Sequence, residues 1–270
     1  MLRTLCVTAT LALALAAGAM AQSRDRAFGR FADTSCNEGW NGRRASHCEI
    51  REDTIGGANP LDVDATPNGG IHIRGWDRGD VLVRSKIVAQ ARTEADARRI
   101  VSGIRIDTVS GRVRADGPSM NRDESWSVSF DIQVPRTAML TLTSRNGGIS
   151  IDDFRGTAKF KTTNGGVSLR NVGGDLRGGT SNGGVTVDLE GDHWDGTGLD
   201  VETHNGGVRV TVPASYSAEL ETETTNGRIN IDFPITVTGR IGRHVNTTLG
   251  AGGPKIRAVT TNGGVTIQQR

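Results

Sequence analysis

The sequence predicts an all-β chain with one short helix: a β-solenoid-like stack of repeats 18–23 residues long, with a mixed β/α cap on its N-terminal side. Three observations predict it. A unit built on Asn-Gly recurs seven times. Its spacing is nearly regular through the second half of the chain. Elsewhere apolar and polar residues alternate, apart from one stretch with helical period.

Residues 1–21 stand apart from the rest. Arg3 gives a positive start, Leu5 to Ala17 is almost wholly apolar, and Ala19-Met20-Ala21 is an A-x-A cleavage pattern. Together they predict a secretory signal peptide, cut before Gln22. The apolar run is too short to span a bilayer as a mature helix, and no second long run follows, so no transmembrane helix is expected. Cys6 comes too early for a lipoprotein cysteine, which would follow the apolar run. The expected location is the periplasm, the cell surface or the medium.

Residues 22–55 read as a polar, irregular segment. It holds Cys36 and Cys48, the two cysteines left after cleavage, and an even pair in an exported chain predicts a disulfide. The bridge would close a loop carrying Trp40, Arg43, Arg44 and His47, and add about 3 kcal/mol in the chain-entropy model. A metal site on the two cysteines and His47 lacks a fourth ligand, so no metal is expected. With Arg3 removed, the bases number one fewer than the 32 of the full sequence, against 30 acids. That near balance argues against nucleic acid as a partner.

Residues 56–135 form the N-terminal β region. "IHIR", "VLVRSKIV" and "WSVSFDIQV" alternate as half-buried strands do. "TEADARRIVSGI" does not: Ala97, Ile100, Val101 and Ile104 share a helical face, Thr93 is placed to cap it, and Gly103 to stop it. A helix over about 93–103 is expected to pack on the sheet. This region would cap the first repeat.

Residues 136–270, with one earlier copy, carry the repeats. The anchors are Asn68, Asn146, Asn164, Asn182, Asn205, Asn226 and Asn262. Two residues before each is Thr or Ser, and glycine follows each directly. A second glycine comes next except where Arg228 stands. Aliphatic residues follow three and five after the anchor, as in Val167 and Leu169. Each copy therefore reads strand, bend, strand, with Asn-Gly supplying positive φ at the bend. The steps are 18, 18, 23, 21 and 36, and the last suggests a degenerate copy near His244. Stacked in parallel, the Thr and Asn columns would form hydrogen-bonded ladders and the aliphatic columns the core, with a rise of about 4.8 Å. Antiparallel hairpins are the rival, since Asn-Gly is also a favoured hairpin turn. Identity of the columns from copy to copy favours the solenoid.

An exported chain, one helix after two early strands, "WSVSFDIQVPRTAMLTLTSRNGGISI" and the run of Asn-Gly-Gly copies together resemble a bacterial family of candidate adhesins, the β-strand-repeat domain of unknown function 4097. The resemblance covers residues 55–270. It implies an adhesive or envelope role and brings no catalytic residues.

The chemistry on offer is sparse. "GTSNG" matches the G-x-S-x-G nucleophile elbow, but Ser181 sits at a repeat position with strand on both sides, where an elbow needs strand-to-helix. The histidines His47, His72, His193, His204 and His244 form no zinc motif. Calcium-binding nonapeptides and phosphate loops are absent. The most site-like cluster is "DHWD", Asp192, His193, Trp194 and Asp195, on an expected loop. Six residues after the anchors, Asp152, Arg170, Asp188, Thr211 and Asp232 would line one column. Asp152 and Asp188 would stand about 10 Å apart, near inverting-glycosidase spacing, but Arg170 between them favours an ionic ladder. Four residues after the anchors runs a polar column, among it His72, Ser150, Ser168 and Thr186, suited to a glycan or a protein.

The reading is a non-enzymatic envelope or surface module, without cofactor, that binds envelope glycans or another envelope protein. The alternatives are a polysaccharide-active β-helix enzyme using the Asp column, and a periplasmic scaffold. An unpaired sheet edge at the "TIQQR" end would favour the scaffold.

Overall fold

The structure, a computed structural model, describes residues 36, 44–57, 59–232 and 242–270. The expected signal peptide, and Trp40 and Arg43 of the expected disulfide loop, lie outside the described residues. The N-terminal region comprises β1 (Ala45–Gly56), β2 (Leu61–Asp64), β3 (Ile71–Trp76), β4 (Asp80–Ala91), α1 (Glu94–Ser102), β5 (Arg105–Asp107), β6 (Arg112–Asp116) and β7 (Ser125–Pro135). Six strand pairs follow, each meeting at an Asn-Gly corner, with one extra strand. They are β8 (Met139–Asn146) and β9 (Ile149–Phe154), β10 (Thr157–Asn164) and β11 (Val167–Val172), β12 (Asp175–Asn182) and β13 (Val185–Asp188), and β14 (Gly198–Asn205) and β15 (Val208–Val212). The rest are β16 (Ala218–Asn226) and β17 (Ile229–Asp232), the extra strand β18 (His244–Leu249), and β19 (Lys255–Asn262) and β20 (Val265–Gln269).

These strands make two ten-stranded sheets, and each corner carries the chain from one to the other. The first runs β1-β4-β7-β3-β9-β11-β13-β15-β20-β17, and the second β18-β16-β19-β14-β12-β10-β8-β2-β6-β5. Equivalent residues pair in parallel: Asn146 with Asn164, Asn164 with Asn182, Asn182 with Asn205. The apolar faces turn inward, so Ile149, Val167, Val185, Val208 and Val265 form one column no more than 2% exposed. The antiparallel strands β1, β4 and β7 end the first sheet. On β1 and β4 packs α1, which presents Ala97, Ile100 and Val101 inward. The Thr93 hydroxyl accepts from the Asp96 amide at 3.1 Å at one end of the helix. Near the other, Arg51 of β1 donates to the carbonyls of Val101 and Ile104 at 3.0 and 2.6 Å, fastening the helix end to β1. Cys36 and Cys48 are bridged, with Cα atoms 5.7 Å apart, which ties residue 36 to β1.

Three expectations need correcting, and one condition that would have favoured the scaffold alternative is not met. The repeats do not stack in chain order: the Asn262 copy lies between those of Asn205 and Asn226, because β19–β20 fills a gap left by β16–β17. There is no parallel rung at His244; β18 doubles back antiparallel on β16, its Val245 and Leu249 buried. The "TIQQR" strand is no edge, since β20 is paired with β15 on one side and β17 on the other. Finally, the corner glycines after Asn146, Asn164, Asn182, Asn205, Asn226 and Asn262 do not adopt positive φ. They are required by close approach: a Cβ on Gly165 would stand 2.3 Å from the Gly147 carbonyl oxygen. The second glycine is less constrained, with Gly166 placing a Cβ 3.3 Å from its nearest neighbour, which explains why Arg228 is accepted at that position.

The two polar columns behave differently. Asparagine side chains form a continuous ladder, Nδ2 of each donating to Oδ1 of the next at 2.8–2.9 Å, from Asn226 through Asn262, Asn205, Asn182, Asn164 and Asn146 to Asn68. The threonines do not bond to one another. Thr162 and Thr180 each donate at 2.7 Å to the corner carbonyl of the neighbouring copy, Gly147 and Gly165. Their burial demands a partner, and the nearest acceptor is backbone.

Candidate functional site

The outer face of the second sheet presents short rows of side chains, one from each stacked copy. In one row Thr141, Lys159, Arg177 and Asp200 are successive Cα partners. In the next the partners are Thr143, Lys161, Gly179 and Glu202. Gly179 leaves that row without a side chain on β12, and a groove of about 340 Å³ there takes in Lys161, Gly179 and Glu202, beside one of about 360 Å³ that reaches Lys159 and Asp200. Lys159 and Lys161 stand on one side, Asp200 and Glu202 on the other, with the strand segments at Phe160 and Gly178 between them. Both glycines are forced. A Cβ on Gly178 would meet the Phe160 ring at 2.6 Å, and one on Gly179 would lie 1.9 Å from the Glu202 carbonyl oxygen. Around the groove some charges are already matched. Asp200 receives Arg257 at 2.7 Å, Arg177 turns to Asp175 at 2.9 Å, and Lys255 bonds Glu221 at 2.8 Å. The Lys255 hydrogen bond holds the Glu221 carboxyl below its usual range. Lys159, Lys161 and Glu202 have no ion pair or side-chain hydrogen bond among the described residues.

The expected binding loop is present but is divided between core and solvent. Trp194 is only 1% exposed, and its indole N–H donates to the Gly174 carbonyl at 3.0 Å. It anchors the loop from beneath and offers no ring to a ligand. Asp192 and His193 are exposed and hydrogen-bond each other at 2.6 Å, which lowers the Asp192 pKa. Asp195 is exposed and lies 3.8 Å from Arg155. The loop backbone is sewn to its surroundings, with Ser217 N–H donating to Asp192 O at 2.7 Å and Gly174 N–H to Asp195 O at 2.6 Å.

On the outer face of the first sheet, Asp152 and Asp188 of the aspartate column are held in ion pairs. Arg170 donates to Asp152 at 3.0 Å, and Arg270 pairs with Asp188. No cleft separates the two carboxylates, because Arg170 stands in register between them. Asp152 also meets His72, whose Nε2 is 3.1 Å from Asp152 Oδ2 and whose Nδ1 is 3.1 Å from Asp131 Oδ1. His72 is 4% exposed and Asp152 6%. Burial works to lower the His72 pKa, but hydrogen bonds to Asp131 and Asp152 outweigh it and raise it to about 9. Burial likewise works to raise the Asp152 pKa, and His72 with Arg170 reverse that and lower it. The imidazolium and guanidinium thus neutralise two carboxylates in a chain across β7, β3, β9 and β11. The four side chains form one continuous ionic network, with His72 and Asp152 buried within it. Among the described residues no group of His, Cys, Asp and Glu side chains is placed to hold a metal, and no helix is long and apolar enough to cross a membrane.

Motif reading of the sequence missed the groove. The signal was there in "DLRGGTSN", where two glycines replace the bulkier pairs Phe160-Lys161 and Val201-Glu202 of the adjoining copies. It becomes visible only when the copies are aligned three positions before the anchor.

Comparison with known proteins places these features in context. A family model described as Toastrack DUF4097 matches residues 97–268. No curated protein matches the sequence. Among solved structures, a candidate cell adhesion protein from Clostridium sporogenes ATCC 15579 is 13% identical, with 84% of this chain and 100% of that one covered and a TM-score of 0.35. A candidate adhesin from Bacteroides fragilis NCTC 9343 is 11% identical, with 83% and 97% covered and a TM-score of 0.36. A candidate lipid binding protein from Parabacteroides distasonis ATCC 8503 is 8% identical, with 82% and 96% covered and a TM-score of 0.31.

Proposed function

The chain belongs to the Toastrack DUF4097 family, and from that membership we propose that it is an exported, non-enzymatic envelope module that binds a glycan or another envelope protein. The Asn-Gly-Gly copies act as a rigid solenoid, the N-terminal antiparallel strands and α1 cap one end, and the product is a broad displayed face. The observation that carries this reading is the outer face of the second sheet. It is long and polar, held by a core of aliphatic columns, and indented at Gly178 and Gly179. A rigid backbone that presents a row of polar side chains suits recognition of an extended polymer, because little backbone freedom is lost on binding. The loop bearing Asp192, His193 and Asp195, braced by Trp194, supplies secondary contacts. The disulfide from Cys36 to Cys48 fits export to an oxidising compartment.

The test is a binding screen of the purified protein against envelope glycans and polymers, with the products checked for cleavage. Retention of a polymer without cleavage supports the module. Cleavage that is lost in Asp152→Asn or Asp188→Asn overturns it in favour of an enzyme. Capture of a single envelope protein, with no glycan retained, selects the protein-binding form.

A further inference from the structure

We propose that the groove over Gly179 is a binding site for a phosphate ester that carries a primary ammonium, a phosphoethanolamine group. The proposal rests on the binding-module reading above and narrows its ligand.

The argument begins with the charges that remain after ion pairing. Asp200 is neutralised by Arg257 and Arg177 by Asp175. Lys159 and Lys161 on one wall and Glu202 on the other are exposed and make no ion pair among the described residues, although Arg257 lies near enough to Glu202 to feel its charge. Lys159 and Lys161 occupy alternate positions of β10, so both point outward with Cα atoms about 7 Å apart. Thr141 and Thr143 are their direct Cα partners on β8. Two ammonium groups flanked by two hydroxyls offer more donors than the two oxygens of a carboxylate can use. A phosphate, with more acceptor oxygens and a higher charge, uses them better. Across the groove, Lys161, Gly179 and Glu202 share a row. Two strand spacings separate the outer pair, about 9.6 Å between Cα atoms. Gly179 places nothing between them, and no Lys161–Glu202 ion pair closes the gap. A ligand that bridges it must be negative towards β10 and positive towards β14. A phosphate joined to an ammonium by a two-carbon linker meets both walls from above a glycine floor. Neither an acidic polymer, which Glu202 would repel, nor a basic one, which the lysines would repel, fits as well.

The same chemistry is available from two sources, a phospholipid headgroup and a phosphoethanolamine substituent on a soluble polymer. Calorimetric titration of the purified protein with O-phosphoethanolamine, inorganic phosphate and ethanolamine tests the chemistry. Amide chemical shifts of Lys161, Gly179 and Glu202 locate the binding. The expected results are measurable binding of O-phosphoethanolamine, a preference over inorganic phosphate of about fivefold from one exposed ion pair, and no binding of ethanolamine. Glu202→Gln should abolish the preference and leave phosphate binding intact, whereas Lys161→Gln should weaken both ligands. Both positions are exposed, so the variants should fold, as matching circular dichroism would confirm. Sedimentation with phosphatidylethanolamine vesicles, against phosphatidylcholine vesicles that lack ammonium N–H donors, separates the sources. Retention on the former alone assigns the lipid, and soluble binding without retention assigns a polymer substituent. The proposal is overturned if O-phosphoethanolamine does not bind, if its shifts map elsewhere, or if Glu202→Gln keeps the preference. Envelope-polymer binding that persists in both variants would remove the groove and leave the module reading standing. Absence of any binding removes both.

Discussion

Deprotonation of His72 should destabilise the fold, and the size of the effect follows from its surroundings. The ring lies between Asp131 and Asp152 at 3.1 Å from each, with Arg170 on the far side of Asp152 at 3.0 Å. Its pKa rises from 6.5 to about 9 on folding. The native state therefore holds a proton that the unfolded chain releases in that window. Stability from this group is fully present below pH 6.5 and is lost as pH rises through about 9. At about 1.4 kcal/mol per pKa unit, the loss is about 3 kcal/mol. Urea unfolding followed by circular dichroism, from about pH 6 to pH 10, measures it for the native protein and for His72→Gln. The variant should be less stable at low pH, and the gap between the two should narrow by about 3 kcal/mol towards high pH. Groups that titrate alike in both proteins cancel in the difference. A gap independent of pH would refute the reasoning, because it would mean that His72 carries no proton between the carboxylates.

Three further effects are expected. Gly165→Ala should cost about 3 kcal/mol or more, since its Cβ would stand 2.3 Å from the Gly147 carbonyl oxygen, while Gly166→Ala should cost under about 1 kcal/mol; chemical denaturation of the two compares them directly. Trp194→Ala should destabilise by about 3–5 kcal/mol and His193→Ala by no more than about 0.5 kcal/mol, as read from the same unfolding curves. Thr162→Val keeps the shape but removes the 2.7 Å bond to Gly147, which should cost about 1–2 kcal/mol in unfolding free energy.

The parts of the fold that were legible in the sequence are those governed by local chemistry. Thr162, Asn164, Val167 and Leu169 recur at fixed offsets because each meets its own counterpart one copy away, and parallel pairing in register allows nothing else. Thr93 and the face of Ala97, Ile100 and Val101 announced α1 for equally local reasons. The site was harder to read. Trp194 looked like part of a loop cluster because polar neighbours surround it in sequence, yet a large aromatic beside two exposed residues is held inward by the apolar surface it buries. His72 was a member of a polar column, and nothing near it in sequence names Asp131 or Asp152, which lie on strands 59 and 80 residues away.

The position of the last copy shows why a repeat cannot report its own order. Every copy offers the same edge to its neighbours: an Asn side chain, a Thr hydroxyl, a corner carbonyl and two aliphatic residues. Asn262 therefore satisfies Asn205 on one side and Asn226 on the other with ladder bonds of 2.8 Å, like those elsewhere in the stack. What breaks the degeneracy lies outside the motif. The antiparallel strand β18 occupies the free edge of β16, so β19 meets that strand from the other side. Facing charges then favour the gap: Arg257 reaches Asp200 on β14 at 2.7 Å, and Lys255 reaches Glu221 on β16 at 2.8 Å. Both partners are in place only when β19 lies between those strands. Backbone repetition makes the stack possible, and outward side chains that differ from copy to copy choose the neighbours. The position five residues before the anchors, which holds Asp200, Glu221 and Arg257 and helps select the order, also places Lys159 and Asp200 beside the groove.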